Sequence, residues 1–439
     1  MTKLKFQNVT GMPDILPHDR RFHDVIEKAC FKLALYYGYE RIETPILEYS
    51  ELFEKGTGIS TDIVQKQMYT FTTRGGDKLT LRPEITPSIV RAYIQHGMNS
   101  WTQPVKMSSI GPVFRHERPQ AGRFREFRQF EIDAIGGGNA VSDAQIIFIF
   151  YEILRNVGLR DLSININSIG CSKCKPNYKK ALRDYYRGRE RSLCKDCRKR
   201  KKENILRLLD CKDEKCERIK IAAPEIIDYL CSECNSHFKN VLEALDSLEL
   251  PYVLSPYLVR GLDYYTKTVF EIFPVAISND TDAAGGNKEG RMTALVAGGR
   301  FDDLVEMLGG DEVPAVGGAL GMERVIAQLK AKGMKTPEPK EAKVFLVHLG
   351  DLARKKSMKV LEEFRAAGIY MREALGRSSI RTQMAIADKM GVSYVLILGH
   401  QEVAEGNIII RDMKSGSQES VPMSKAINEV KKRLKKITK

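Results

Sequence analysis

The sequence predicts two or three domains that mix helices and strands: a region built around an antiparallel hairpin, a cysteine-rich basic insertion, and a separate small α/β domain at the C-terminal end. Three observations carry this prediction. Two runs, Met107 to Arg115 and Phe124 to Ile135, alternate with period 2 across a loop holding Pro119 and Gly122. Eight of the nine cysteines fall between Cys171 and Cys234. Beyond a proline-stiffened stretch, strand and helix patterns alternate to the C-terminus, the pattern of a mostly parallel sheet covered by helices. A length of 439 residues with 43% hydrophobic content can bury a large core.

Taken in order, Gly11 to Pro17 is turn-rich, and His18 or Asp19 is placed to cap a helix with apolar positions Phe22, Val25, Ile26, Ala29, Cys30, Leu33 and Tyr37. Cys30 lies on that stripe and reads as a buried thiol. Tyr39 to Ile42 reads as a strand, stopped at Thr44-Pro45. Lys78 to Thr86 is a strand running into a turn, and Thr86-Pro87 opens a helix. Glu84, just before it, is either a helix-terminus feature or a site residue. The hairpin follows, then a helix over Asp143 to Val157 and a strand over Leu162 to Ile169. After the insertion come a helix at Val241 to Leu248, a strand at Pro251 to Leu254, and two glycine- and charge-bearing stretches, Leu258 to Glu271 and Ala297 to Asp302, around a Gly/Asn-rich loop at 278–290. Val316 to Val325 passes from strand to helix. In the last domain strands are expected at Lys343 to His348, Ile369 to Met371, Tyr394 to Leu398, Ile408 to Arg411 and Glu419 to Pro422, with helices at Ala353 to Ala367, Ser379 to Met390 and Ser424 to Lys435.

The hairpin carries the least ordinary chemistry. Alternation sends Phe127, Gln129, Glu131 and Asp133 to one face and Arg128, Phe130 and Ile132 to the other. Carboxylates and a glutamine beside Arg115, Arg118, Arg123, Arg125 and Arg128 suit either a site for a zwitterion and a polyphosphate or a solvated basic surface. The net charge of +14 favours a polyanionic partner, and 20 Lys and Arg against 11 Asp and Glu between Cys171 and Asn240 place +9 of it in the insertion. Arg198 to Lys202 there is either a solvated helix face or a phosphate contact.

Cys171, Cys174, Cys194, Cys197, Cys211, Cys216, Cys231 and Cys234 supply three CxxC pairs and one wider pair, enough for up to two tetrahedral zinc sites, with His237 a substitute ligand in one. The alternative is a helical insertion with reduced thiols. The N-terminus lacks an apolar targeting core and no apolar run approaches a membrane span, so a cytoplasmic protein without membrane contact is expected.

Five stretches together resemble the class II aminoacyl-tRNA synthetases and, among them, the histidyl-tRNA synthetase family. Pro45 matches the proline that ends motif 1. Phe114-Arg-His-Glu117 matches the opening of motif 2, and Gly317 to Arg324 matches motif 3. Leu258-Val-Arg-Gly-Leu-Asp-Tyr-Tyr265 and Ala297-Gly-Gly-Arg-Phe-Asp302 match the two histidine-specific signatures. The resemblance implies an α+β catalytic domain with an antiparallel sheet over 1–170 and 241–330. It also implies an insertion over 171–240, a linker over 331–340 and an anticodon-binding domain over 341–439, in a homodimer.

It further implies ATP-dependent attachment of L-histidine to its tRNA through histidyl-adenylate, with Mg²⁺ accompanying ATP. The alternative on the same fold is a histidine-binding regulatory subunit of ATP phosphoribosyltransferase. By motif position, Arg115 should hold the α-phosphate, Arg324 the γ-phosphate, and Arg260 the α-phosphate from the opposite side. Glu117 and Phe127 should meet the adenine, and Arg123 the outer phosphates. Glu84, Thr86 and Gln129 should bind the α-ammonium and neighbouring atoms of histidine, with Arg115 and Arg260 close by. Asp133, Tyr265 and Tyr264 should read the imidazole. Asp133 stands where some members have Glu, and Phe301 where many have Tyr. The motif 2 loop should meet the acceptor end of the tRNA, and the basic insertion its acceptor arm.

Overall fold

The computed structural model describes residues 6–119, 122–275, 293–337, 341–374, 376 and 379–437. The glycine-rich loop at 278–290 and Pro339 of the linker lie outside the described residues. The chain divides into two compact units, Met1–Thr336 and Pro337–Lys439, so the break falls inside the expected linker.

The first unit is organised on an eight-stranded sheet. Its strands, with those of a small neighbouring sheet, are β1 (Glu40–Arg41), β2 (Leu47–Tyr49), β3 (Tyr69–Thr72), β4 (Lys78–Leu81), β5 (Val105–Phe114), β6 (Glu126–Ile135), β7 (Leu162–Ser168), β8 (Tyr252–Leu254), β9 (Thr266–Pro274), β10 (Val296–Arg300) and β11 (Ala315–Gly321). The large sheet runs β1-β5-β6-β11-β10-β9-β7-β8, antiparallel except at its two edge pairings, and β2-β4-β3 form the small antiparallel sheet. One face of the large sheet is dry. Phe130, Ile132, Ile164, Ile166, Phe270 and Ile272 pack there with residues of the helices Pro17–Tyr36, Ala140–Asn156, Ser232–Ser247 and Met322–Ala331. Each such side chain contributes about 1.5–3 kcal/mol by leaving water. The other face carries the helix Thr86–Gln95 and a large cavity.

Several boundaries move. The first helix begins at Pro17, whose missing N–H costs nothing at that position, and Asp19 lies in its first turn rather than capping it. The 240 boundary cuts the helix Ser232–Ser247, whose Val241 and Leu245 belong to the main core. The insertion has its own small core around Tyr178, Leu182, Tyr186 and Leu208, yet it stays within the first compact unit. His237 joins no cysteine cluster; its Nε2 lies 3.2 Å from Asp143 Oδ1.

In the second unit β12 (Val344–His348), β13 (Met371–Glu373), β14 (Tyr394–Leu398), β15 (Asn407–Asp412) and β16 (Gln418–Pro422) are ordered β13-β12-β14-β15-β16. Only the first three are mutually parallel, so the sheet is mixed rather than mostly parallel. A six-residue helix, His400–Glu405, and the turn at 413–417 provide short reversals, which allow antiparallel neighbours only.

Candidate active site

The cavity, about 940 Å³, lies over the centre of the large sheet. Register explains its floor. On β6, Gln129 and Glu131 face the cavity while Phe130 and Ile132 enter the dry core. Opposite them on β11 stand Gly321, Ala319 and Gly317, paired with Gln129, Glu131 and Asp133. Small residues there leave the space that β6's polar side chains project into. A Cβ at Gly317 would sit 2.0 Å from Asp133 Oδ1, so glycine is required by close approach.

One end of the cavity is cationic. Arg115, directly after β5, donates from Nε to Pro83 O at 2.9 Å, and its guanidinium lies 5.5 Å from the centre of the Phe127 ring. Arg123 lies 3.5 Å from Glu117. Arg324 donates from Nη1 to Ala294 O at 2.9 Å. Burial and the charges of Arg115 and Arg123 pull its pKa down to about 10, so it remains charged at neutral pH but crowded by like charges. Arg260 is paired with Glu271 and lies 5.6 Å from the centre of the Tyr265 ring.

The other end is acidic. Glu84 accepts from Tyr264 Oη at 2.7 Å and from Thr57 Oγ1, and burial raises its pKa. Glu131 accepts from Ile85 N–H at 3.3 Å and Thr86 Oγ1 at 3.1 Å. Burial, then the charge of Glu84, pushes its pKa up to about 8. Several buried polar atoms have no hydrogen bond: Gln129 Oε1, Arg260 Nε and both oxygens of Asp133. Buried groups are ordinarily satisfied, so such a cluster is what a polar ligand would complete.

The supports are as informative as the lining. Glu323 accepts the backbone N–H of Arg128 at 3.0 Å on each carboxylate oxygen, and the next residue, Arg324, reaches the cavity. Arg125 N–H donates to Gly11 O at 2.7 Å, and its side chain packs over Gly11 where φ is +83° and no Cβ intrudes. Arg300, in the second glycine-bearing signature, does not enter the cavity. It is fully buried, donating to Asp143 at 2.5 Å, Asp302 at 3.0 Å and Gly137 O at 2.8 Å.

The histidyl-tRNA synthetase family model matches residues 11–325, and a model described as an anticodon binding domain matches residues 343–433. The chain belongs to the histidyl-tRNA synthetase family. It is 43% identical over 430 residues to the histidine–tRNA ligase of Dehalococcoides mccartyi, covering 98% of this chain and all of that one. The histidine–tRNA ligase of Halothermothrix orenii is 42% identical, covering 96% and 98%. The apo crystal structure of S. aureus histidyl-tRNA synthetase aligns with a TM-score of 0.76 at 32% identity, covering 97% of this chain and 99% of that one. A Bacillus halodurans structure described as an ATP phosphoribosyltransferase regulatory subunit/histidyl-tRNA synthetase shares the fold, with a TM-score of 0.61 at 20% identity.

Against the positions expected from the histidyl-tRNA synthetase motifs, Glu84, Thr86, Arg115, Glu117, Arg123, Phe127, Gln129, Arg260, Tyr264, Tyr265 and Arg324 all line the one cavity. Asp133 does not. It lies fully buried one pleat beyond Glu131, against Gly317. Glu131 lines the cavity instead, although the alternation that placed it on the polar face was the signal that could have found it. Tyr264 also differs, since its hydroxyl is committed to Glu84. Thr57, which supports Glu84, had no sequence signal.

Proposed function

We propose that the cavity joins histidine to ATP and then passes the histidyl group to tRNA, with each of its ends holding one substrate. In keeping with its family, the chain is an enzyme, a class II aminoacyl-tRNA synthetase that attaches histidine to tRNA. The observation that carries the site reading is the polarity of the cavity. Arg115, Arg123 and Arg324 crowd one part of the lining, the carboxylates Glu84 and Glu131 with unsatisfied polar neighbours lie in another, and Arg115 and Arg260 are near enough to both for their charges to act on Glu84.

In the first step an oxygen of the histidine carboxylate attacks the α-phosphorus of ATP, and the bond to the bridging oxygen of pyrophosphate breaks. The attacking carboxylate is already ionised, so no strong base is needed; alignment and neutralisation of developing charge do the work. Arg115 and Arg260 take the α-phosphate and the carboxylate between them, Arg324 and Arg123 take the outer phosphates, and Phe127 and Glu117 hold the adenine. Guanidinium suits these places because it is always charged and bidentate. Mg²⁺ held by the phosphates of ATP would reduce the charge that Arg115, Arg123 and Arg324 must meet. The α-ammonium of histidine goes to Glu84, Thr86, Gln129 and Glu131. The imidazole goes to Tyr265, while Asp133, buried one pleat beyond Glu131, stands behind the cavity rather than at the ring. In the second step a hydroxyl at the 3′ end of tRNA attacks the adenylate carbonyl; the ester bond forms, the acyl bond to the phosphate oxygen breaks, and AMP leaves as the hydroxyl proton passes to its phosphate or to solvent.

The loop at 116–122 takes the acceptor end of the tRNA, the insertion its acceptor arm, and the unit Pro337–Lys439 the anticodon. Zinc in the insertion, a homodimer and a cytoplasmic location complete the reading. Among the described residues no helix is long and apolar enough to cross a membrane. The regulatory-subunit alternative leaves the arginine cluster and the C-terminal unit without a use. Histidine-dependent exchange of pyrophosphate into ATP by the purified chain tests the proposal. Exchange with a different amino acid, or none with histidine, would refute it.

A further inference from the structure

The eight thiols of the insertion sort into two groups of four. Cys171 and Cys174 follow β7, where the chain leaves the sheet, and they meet Cys231 and Cys234 at the start of the helix that returns to it. Cys194 and Cys197 meet Cys211 and Cys216 inside the insertion. Within each group all four sulfurs lie within 4.8 Å of one another. Three of these pairs stand 3.7 Å apart (Cys171 and Cys174), 4.0 Å (Cys171 and Cys231) and 3.7 Å (Cys194 and Cys211). Four thiolates about 2.3 Å from one tetrahedral ion stand about 3.8 Å apart. A disulfide needs about 2.05 Å.

Backbone amides already point at these sulfurs. Cys231 N–H reaches Cys174 Sγ at 3.1 Å, Cys194 N–H reaches Cys216 Sγ at 3.3 Å, and Cys197 N–H reaches Cys194 Sγ at 3.4 Å. Donors around a thiolate are the outer shell a metal site uses to hold its ligands.

The second group also belongs to the cavity. Cys211 and its neighbours Leu209, Asp210 and Lys212 line it. The same lobe reaches across to the catalytic domain: Arg200 and Arg207 lie 3.0 and 2.7 Å from Asp62 Oδ2, and Asn204 Nδ2 donates to Asp263 Oδ1 at 2.9 Å, within the signature that bears Arg260 and Tyr265. We propose that the insertion holds two tetrahedral zinc ions with different work: Cys171, Cys174, Cys231 and Cys234 clasp its two chain crossings, while Cys194, Cys197, Cys211 and Cys216 fix 209–212 as a wall of the active-site cavity. The second part rests on the synthetase reading of that cavity.

Elemental analysis of the full chain, purified in reductant without chelator, tests the metal assignment. Two zinc ions per chain are expected, falling to one in Cys174→Ser/Cys234→Ser and to one in Cys197→Ser/Cys216→Ser. Cobalt(II) titration of the metal-stripped wild type should give thiolate charge-transfer absorbance that saturates at two equivalents, a result independent of whether the variants fold. No metal, a single ion, iron, or disulfides found by mass would overturn it. For the wall, Cys197→Ser/Cys216→Ser should raise the KM for histidine or ATP in exchange roughly tenfold or more, because small misplacements near the reacting atoms are costly. Loss of one ion with both KM values unchanged would overturn that part. Two bound ions without histidine-dependent exchange in the wild type would uphold the metal sites and refute the synthetase reading.

Discussion

Replacing Glu131 with Gln keeps the shape of the side chain and its hydrogen bonds to Ile85 and Thr86 within reach, but removes the charge. With its pKa at about 8, Glu131 is mostly protonated in the free protein at pH 7. Histidine brings an ammonium group that favours the carboxylate. A hydrogen bond between charged partners is worth about 1.5–3 kcal/mol. At pH 7 the carboxyl must first ionise, one pH unit below its pKa, which costs about 1.4 kcal/mol. The net loss on substitution is therefore up to about 1.6 kcal/mol at pH 7, or at most roughly 15-fold in Kd. At pH 8.5 most of the ionisation cost is gone and the loss approaches about 10- to 150-fold. Calorimetric titration of histidine into both proteins from pH 6 to 8.5 measures the ratio, from which the ligand's own titration cancels. Wild-type binding at pH 7 should also release a proton, seen as a buffer-dependent enthalpy that the variant lacks. A Kd ratio near one throughout, or one that shrinks as pH rises, would refute the placement of Glu131 at the ammonium. The unliganded protein gives a second check. Because the folded pKa is raised, this group costs stability as pH rises from about 4 through about 8, so the thermal midpoint of Glu131→Gln should fall less over that range than the wild type's.

Arg260→Ala should abolish pyrophosphate exchange while calorimetry still detects histidine; loss of histidine binding would move Arg260 to substrate recognition. Gly317→Ala places a Cβ 2.0 Å from Asp133 Oδ1 and 2.7 Å from Ile132 O, and should weaken histidine binding and cost about 1–3 kcal/mol of stability, read by denaturant unfolding. Arg300→Met leaves the buried Asp143 with only His237 among the described residues, while Asp302 keeps Lys267 and the Ala315 amide, and it should destabilise the first unit by about 3 kcal/mol, with unfolding as the readout. The fragment ending at Thr336 should retain histidine-dependent exchange and lose most aminoacylation of tRNA; equal loss of both would argue against a tRNA role for Pro337–Lys439.

The parts of this molecule legible in its sequence are those fixed by local period. Alternation along 126–135 placed Gln129 and Glu131 on one face and Phe130 and Ile132 on the other, and the structure keeps that division. Most helices and strands of the last domain were found for the same reason, although the strand expected at Ile369 to Met371 lies at Met371–Glu373 and the short helix His400–Glu405 was not expected. What escaped depends on chain pairings made across long separations. The reach of Asp133 is decided by β11 lying beside β6 with Gly317 opposite it, a fact of register. The sorting of the cysteines needs residues 171 and 234 brought together by the sheet. Between Ser50 and Gln67 the chain forms a short helix and two single π-turns that no simple period announces, and Thr57, the support of Glu84, lies there. Arg300 had no role assigned from its signature, because its partners Asp143 and Asp302 are recognisable only once the fold brings them together.

The bond from Glu323 to the amide of Arg128 makes the two ends of the cavity one measuring device. Arg128 precedes Gln129 in the chain, and Arg324 follows Glu323. The arginine assigned to the far phosphate and the glutamine assigned to the amino acid are therefore each one peptide unit from the same clamp, and consecutive Cα atoms are held about 3.8 Å apart by covalent geometry. A chain built this way cannot slide its nucleotide end without dragging its amino-acid end along. The clamp, one carboxylate accepting one amide, thus ties the backbone positions of Gln129 and Arg324 to each other.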